Sequence, residues 1–83
     1  MQPFNFQSIQ LTLSRNVKAA RKARGLSQEK LALEAEVDRT YVSQIERAVS
    51  NPSLLVLAKI ANVLDTEVGI LLSVPQPNGE QTA

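Results

Sequence analysis

An all-α domain of five short helices is what this sequence predicts, and three observations predict it. Apolar residues recur at helical spacing in separate stretches between Ser8 and Ser73. Ser, Thr or Asp precedes each stretch, and the side chains of these residues cap helix N-termini. The segments between are short, roughly two to six residues, as in compact helical domains.

The first helix is expected over about Ile9–Arg24, with Ile9, Leu13, Val17 and Ala20 as its apolar stripe. Ser8 is placed to cap it and Gly25 to end it. The second follows Ser27 and runs over about Gln28–Ala35, burying Leu31, Ala32 and Ala35. Asp38 caps a third helix that extends to about Ala48. Ser53, after Asn51-Pro52, caps a fourth over about Leu54–Leu64, whose apolar set is Leu54, Leu57, Ile60, Ala61 and Leu64. Thr66 caps a last short helix, about Glu67–Leu72. Residues 1–74 form one domain on this reading, and residues 75–83, PQPNGEQTA, form a disordered C-terminal tail.

With 83 residues, the chain buries only about 60% of its unfolded surface, so it gains from a partner or from dimerisation. It contains no Cys and no His. Disulfides and thiolate metal sites are excluded, and the commonest metal ligand and general base are missing. No cofactor or metal is called for, and no convergent carboxylates suggest an enzyme. No apolar run reaches the roughly 20 residues of a membrane span, and no basic segment leads into an apolar one at the N-terminus, so a soluble cytoplasmic protein is expected. The net charge of +1 is uneven: residues 1–47 hold eight Lys/Arg against five acids, whereas residues 48–83 hold Lys59 against Asp65, Glu67 and Glu80. The first half is therefore the one suited to a polyanion.

Within that half, Asp38–Arg47, DRTYVSQIER, is unusually polar for a helix that must also pack. At about 100° per residue, Arg39, Thr40, Ser43, Gln44 and Arg47 share an arc of about 140°, with Val42 and Ile45 roughly opposite. The polar arc suits the edges of bases. Arg forks onto guanine, Gln both donates to and accepts from adenine, and Thr and Ser add hydroxyls, with the Thr methyl available to thymine. The second and third helices are joined by a turn of three to four residues, the helix-turn-helix arrangement whose second helix enters the major groove. Gln28 begins the second helix, where free N–H groups and the positive dipole end favour a phosphate.

Gly25-Leu26-Ser27-Gln28-Glu29-Lys30-Leu31-Ala32, then Asp38–Arg47, then Asn51-Pro52-Ser53-Leu54, resemble the lambda-repressor-like (XRE) helix-turn-helix family over about residues 13–72. DRTYVSQIER followed by NPSL is most similar to the controller proteins of restriction–modification systems. The resemblance implies a compact five-helix fold and DNA binding. It places Gln28 as a phosphate clamp and Arg39, Thr40 and Gln44 as base readers, with Ser43 and Tyr41 beside them. It also implies a structural ion pair between Arg21 and Glu46. Glu46 lies next to the core side of the helical wheel, where an unpaired carboxylate is costly.

Two departures from the family pattern stand out. Glu36 and Ala48 occupy places where the family favours Gly or Asn in a left-handed conformation, and each would carry strain there. Ala48-Val49-Ser50 also replaces a Gly followed by basic residues, which predicts a shallower salt dependence of DNA binding.

The last helix and its flank carry Val68, Ile70, Leu71, Leu72 and Val74. Three consecutive aliphatics cannot all face one core, so these five are expected to form a two-fold interface. A homodimer would set two recognition helices about 34 Å apart on a pseudo-palindrome. Phe4 and Phe6 are expected to pack on the first helix or on the partner, because PFNFQ lacks the Arg of a minor-groove arm.

The expected function is a sequence-specific, homodimeric transcriptional regulator on double-stranded DNA. Arg39, Thr40, Ser43 and Gln44 would read bases, and Gln28, Lys18, Arg21, Tyr41, Arg47 and Ser53 would touch phosphates. RNA polymerase would be blocked or recruited by the bound dimer, and an autoregulating controller of a restriction–modification operon is the specific expectation. The alternative is an antitoxin-type interaction module that also binds its own operator; a second protein copurifying in stoichiometric amount would favour it.

Overall fold

The computed structural model describes residues 5–75. Five helices follow in chain order: α1 (Phe6–Ala23), α2 (Gln28–Ala35), α3 (Arg39–Glu46), α4 (Leu54–Val63) and α5 (Val68–Leu71). No strand occurs among the described residues. Phe4 and the tail beyond Pro75 lie outside them.

The core gathers one stripe from each helix: Leu13 and Val17, Leu31, Ala32 and Ala35, Val42 and Ile45, Leu57, Ile60 and Ala61, and Leu71, with Leu64 just past α4. Fully burying an aliphatic side chain of this size stabilises by about 1.5–3 kcal/mol, so these few contacts dominate the fold. α3 packs against both α1 and α2, α2 also meets α4, and α5 closes the far end against α1 and α4. The inner side of α3 is thus enclosed while its outer side stays on the surface.

Side-chain caps start the helices. Ser27 Oγ accepts from Lys30 N at 3.0 Å, Asp38 from Thr40 N at 2.8 Å and Ser53 Oγ from Val56 N at 3.1 Å. Two expected caps are corrected. α1 begins earlier than expected because Asn5 caps it, accepting from Ser8 N at 3.2 Å; Ser8 therefore lies inside the first turn. Thr66 does not cap α5; its N–H donates to Ala61 O at 3.0 Å and closes α4, and Glu67 precedes α5 without a side-chain cap.

The helix ends share one closure. Leu26, Val37, Val49 and Thr66 donate to carbonyls five residues back, Arg21, Ala32, Gln44 and Ala61. The residue before each donor is left-handed: Gly25 (φ 70°), Glu36 (φ 59°), Ala48 (φ 60°) and Asp65 (φ 57°). This is the Schellman motif, in which Gly is favoured at the left-handed position. Only Gly25 adopts it without strain. The same bend ends α3 at Glu46, two residues short of the expected Ala48.

Other expectations of burial change. Ile9 is 40% exposed, and Ser14 and Arg21 instead join Leu13 and Val17 on the buried side of α1. Leu54, at the first turn of α4, extends past the core and is 74% exposed. Within the expected interface, Leu71 is only 2% exposed and fills the domain's own core, so it is removed from that set. Val68 is half-buried against the same core, while Ile70, Leu72 and Val74 face outward.

Candidate nucleic-acid interface

α2 and α3 are joined by Glu36, Val37 and Asp38. Glu36 reverses the chain in its left-handed conformation, Val37 tucks against the core, and Asp38 starts α3 by capping it. The exposed Asp38 carboxyl is held below its usual range, first by the Thr40 backbone N–H and then by the Thr40 side chain. The charged, accepting form of the cap is therefore the stable one at neutral pH.

Val42 and Ile45 are buried on the inner side of α3, which fixes its rotation. Arg39, Thr40, Tyr41 and Arg47 are exposed, and Ser43 and Gln44 are half-buried. Among the described residues, no side-chain hydrogen bond within the chain occupies Arg39, Ser43, Gln44 or Arg47. One side of α3 thus presents a ridge of free donors and acceptors while the opposite side is locked into the core.

Behind the ridge, one carboxylate joins three helices. Glu46, from α3, accepts from Arg21 of α1: Nε reaches Oε2 at 2.6 Å and Nη2 reaches Oε1 at 2.9 Å. Oε1 also accepts from Gln28 Nε2, at the start of α2, at 3.0 Å. Arg21 Nη1 donates to Leu26 O at 2.7 Å, and Ser14 Oγ donates to Glu46 O at 2.6 Å. Burial pushes the Glu46 carboxyl up, but the hydrogen bonds from Arg21 and Gln28, with the positive charges of Arg21 and Lys18, hold it below the usual carboxylate range. The Arg21 guanidinium is raised in turn, chiefly by its hydrogen bonds to Glu46.

This geometry bears on the expected phosphate set. Arg21 is buried, with three of its nitrogens engaged inside the protein, which agrees with the expected ion pair and leaves little of its guanidinium for a phosphate. Lys18, Tyr41, Arg47 and Ser53 remain on the surface, with the Ser53 oxygen also capping α4. Sequence reasoning missed the Gln28–Glu46 bond and the role of Asn16, whose Nδ2 donates to Leu71 O and Ser73 O at 2.8 Å each and so ties α5 to α1. Neither carries a local sequence signal, because the acceptors lie far along the chain.

Two short helices joined through a tight turn, the second buried on one side and polar on the other, define a helix-turn-helix domain. A family model described as Helix-turn-helix matches residues 17–71, and the chain belongs to that family. Control protein C.SmaI of Serratia marcescens is 38% identical over 68 residues, covering 82% of this chain and 81% of that protein. The immunity repressor protein of Bacillus phage phi105 is 38% identical over 72 residues, 87% of this chain, and the chain spans 46% of its length. The structure also superposes on the master regulator for biofilm formation SinR, solved in complex with DNA, with a TM-score of 0.70 and 40% identity, covering 74% of this chain and 98% of that one. No helix among the described residues is long and apolar enough to cross a membrane.

Proposed function

We propose that the chain is a sequence-specific regulator of transcription that binds operator DNA as a homodimer in the cytoplasm. The observation that carries this is the outer side of α3, where Arg39, Thr40, Ser43 and Gln44 stand clear of the core that holds Val42 and Ile45. A major groove admits one such helix, and these side chains match the donor and acceptor patterns of base edges. Gln28, Lys18, Tyr41, Arg47 and Ser53 would position the duplex through phosphates. Similarity to the control protein C.SmaI, of which the chain spans 81%, supports reading the chain as a controller, and regulation of its own operon in a restriction–modification system is the specific form we infer. Such a regulator acts by blocking or recruiting RNA polymerase.

Ile70, Leu72 and Val74, with the edge of Val68, supply the apolar face of the dimer. Ile70 and Val74 line a groove of roughly 640 Å³ together with Asn16, Ala20, Thr66 and Pro75. One recognition helix buries little surface, and linking two of them on one site raises affinity by effective concentration. Selection from random duplexes tests the reading. The expected product is a pair of inverted half-sites about one helical turn, roughly 34 Å, apart. A selection that enriches no sequence refutes sequence-specific binding, and one that enriches an isolated half-site refutes the dimer.

A further inference from the structure

Gln28 belongs to the proposed phosphate set, yet its side chain is also bonded to a buried carboxylate. The Glu46 side chain is 2% exposed. It is gripped on two sides by Arg21, and its backbone carbonyl is held by Ser14. It therefore offers Gln28 an anchor fixed to α1 as well as to α3. A carboxylate only accepts, so the Gln28 amide must present its nitrogen to Glu46. That nitrogen carries two hydrogens, and the 3.0 Å bond to Oε1 uses one of them. The second remains available at the first turn of α2, where the unpaired backbone N–H groups lie.

We propose that Glu46 is a positioning residue for DNA binding: by holding the Gln28 amide, it sets the remaining Nε2 hydrogen beside the free N–H groups of the α2 terminus as a preformed clamp for one backbone phosphate. This inference rests on the DNA-binding reading above. Without the anchor, a Gln side chain at a helix start samples many rotamers and loses that freedom on binding. The clamp is neutral, so its contribution is independent of both sequence and salt. Counterion release follows the charged contacts, and a glutamine amide supplies none.

The test compares wild type, Gln28→Ala, Glu46→Gln and the double variant on a selected site and on an unrelated duplex. Fluorescence anisotropy is read at a temperature where circular dichroism shows each protein folded. In Glu46→Gln, Arg21 keeps the remaining side-chain oxygen and the new amide nitrogen frees or reverses the Gln28 amide. Each single variant is expected to weaken binding to both duplexes by about threefold to tenfold, the scale of one hydrogen bond, with an unchanged salt slope. The double variant is expected to bind no more weakly than Gln28→Ala alone, because the two residues act through one contact. A Glu46→Gln loss that persists in full in the Gln28→Ala background overturns the positioning role while leaving DNA binding intact. A wild-type protein that binds both duplexes equally overturns the sequence-specific reading instead. Where Glu46→Gln does not fold, nitrogen relaxation of the Gln28 side-chain amide in the free wild-type protein decides. A rigid amide supports the clamp, and one averaged as freely as an exposed glutamine overturns it.

Discussion

α3 and α5 are built alike on the inside and differ on the outside. Each is anchored by fully buried aliphatics, Val42 and Ile45 in one and Leu71 in the other. Outward, α3 shows Arg39, Thr40, Ser43 and Gln44, whereas α5 and its flank show Ile70, Leu72 and Val74. The core therefore explains why both helices exist but not what either one meets. That information is in the surface left over: unpaired donors and acceptors suit a groove lined with base edges, and adjoining aliphatics suit a second copy. The charge asymmetry follows the same division, +3 through Arg47 and −2 beyond it.

The largest expected effect lies behind α3. Arg21→Ala leaves the Glu46 carboxylate buried without its partner, which costs on the order of 3–5 kcal/mol and unfolds a large share of so small a domain. Chemical denaturation measures it; a loss under about 1 kcal/mol would show that the pair is as weak as a surface one. The same group gives a pH signature. The Glu46 carboxyl is depressed in the folded protein, so its contribution is fully present above the unfolded value, about 4.3, and is lost as pH falls through the lower folded value. Acid titration of the denaturation midpoint should show a drop in that window, and the part due to this group should be absent in a folded Glu46→Gln protein.

Next in size is the contrast between neighbours in α5. Leu71→Ala removes core volume and should cost about 2–5 kcal/mol of stability. Ile70→Glu should leave the fold nearly as stable but give monomers in sedimentation, with operator binding weakened as bivalency is lost. Should Ile70→Glu sediment as a dimer, the apolar side of α5 is not the two-fold interface, and the opposition between the two helices loses one of its terms.

Much of this division was legible in the sequence. Ser27, Asp38 and Ser53 announced three helix starts, because each short oxygen-bearing side chain directly precedes an apolar stripe. The polar ridge of α3 followed from its helical spacing alone. Other features were hidden for physical reasons. Asn5 and Ser8 are both competent caps, and local chemistry does not choose between them. Consecutive aliphatics at 70–72 showed that one must face outward but not which. The bonds from Ser14 to Glu46 and from Asn16 to Leu71 span 32 and 55 residues, so no window of sequence contains both ends.

A smaller effect probes the outer side of α3. Arg39→Ala should leave stability nearly unchanged, because the residue is exposed and forms no ion pair among the described residues, and should weaken operator binding by about 1–3 kcal/mol with relaxed preference at one base pair. Competition among single-base operator variants measures it. A loss shared equally by all sequences would move Arg39 from the base-reading set to the phosphate set.

The smallest expected effect isolates a backbone term at the ends of α1 and α3. Gly25 and Ala48 hold the same left-handed conformation in the same closure, φ 70° and 60°. A Cβ added at Gly25 meets nothing within 4 Å, so Gly25→Ala changes conformational preference and not packing. It should destabilise by about 1 kcal/mol, and Ala48→Gly should stabilise by up to a similar amount, less what glycine adds to the freedom of the unfolded chain. In a domain of this size, 1 kcal/mol corresponds to a shift of about 4–8 °C in Tm. Thermal scans of both variants should move in opposite directions. If Ala48→Gly instead lowers Tm, the Ala48 methyl, half-buried beyond α3, contributes packing that outweighs the strain. The end of the recognition helix would then be held by contacts and not by its turn.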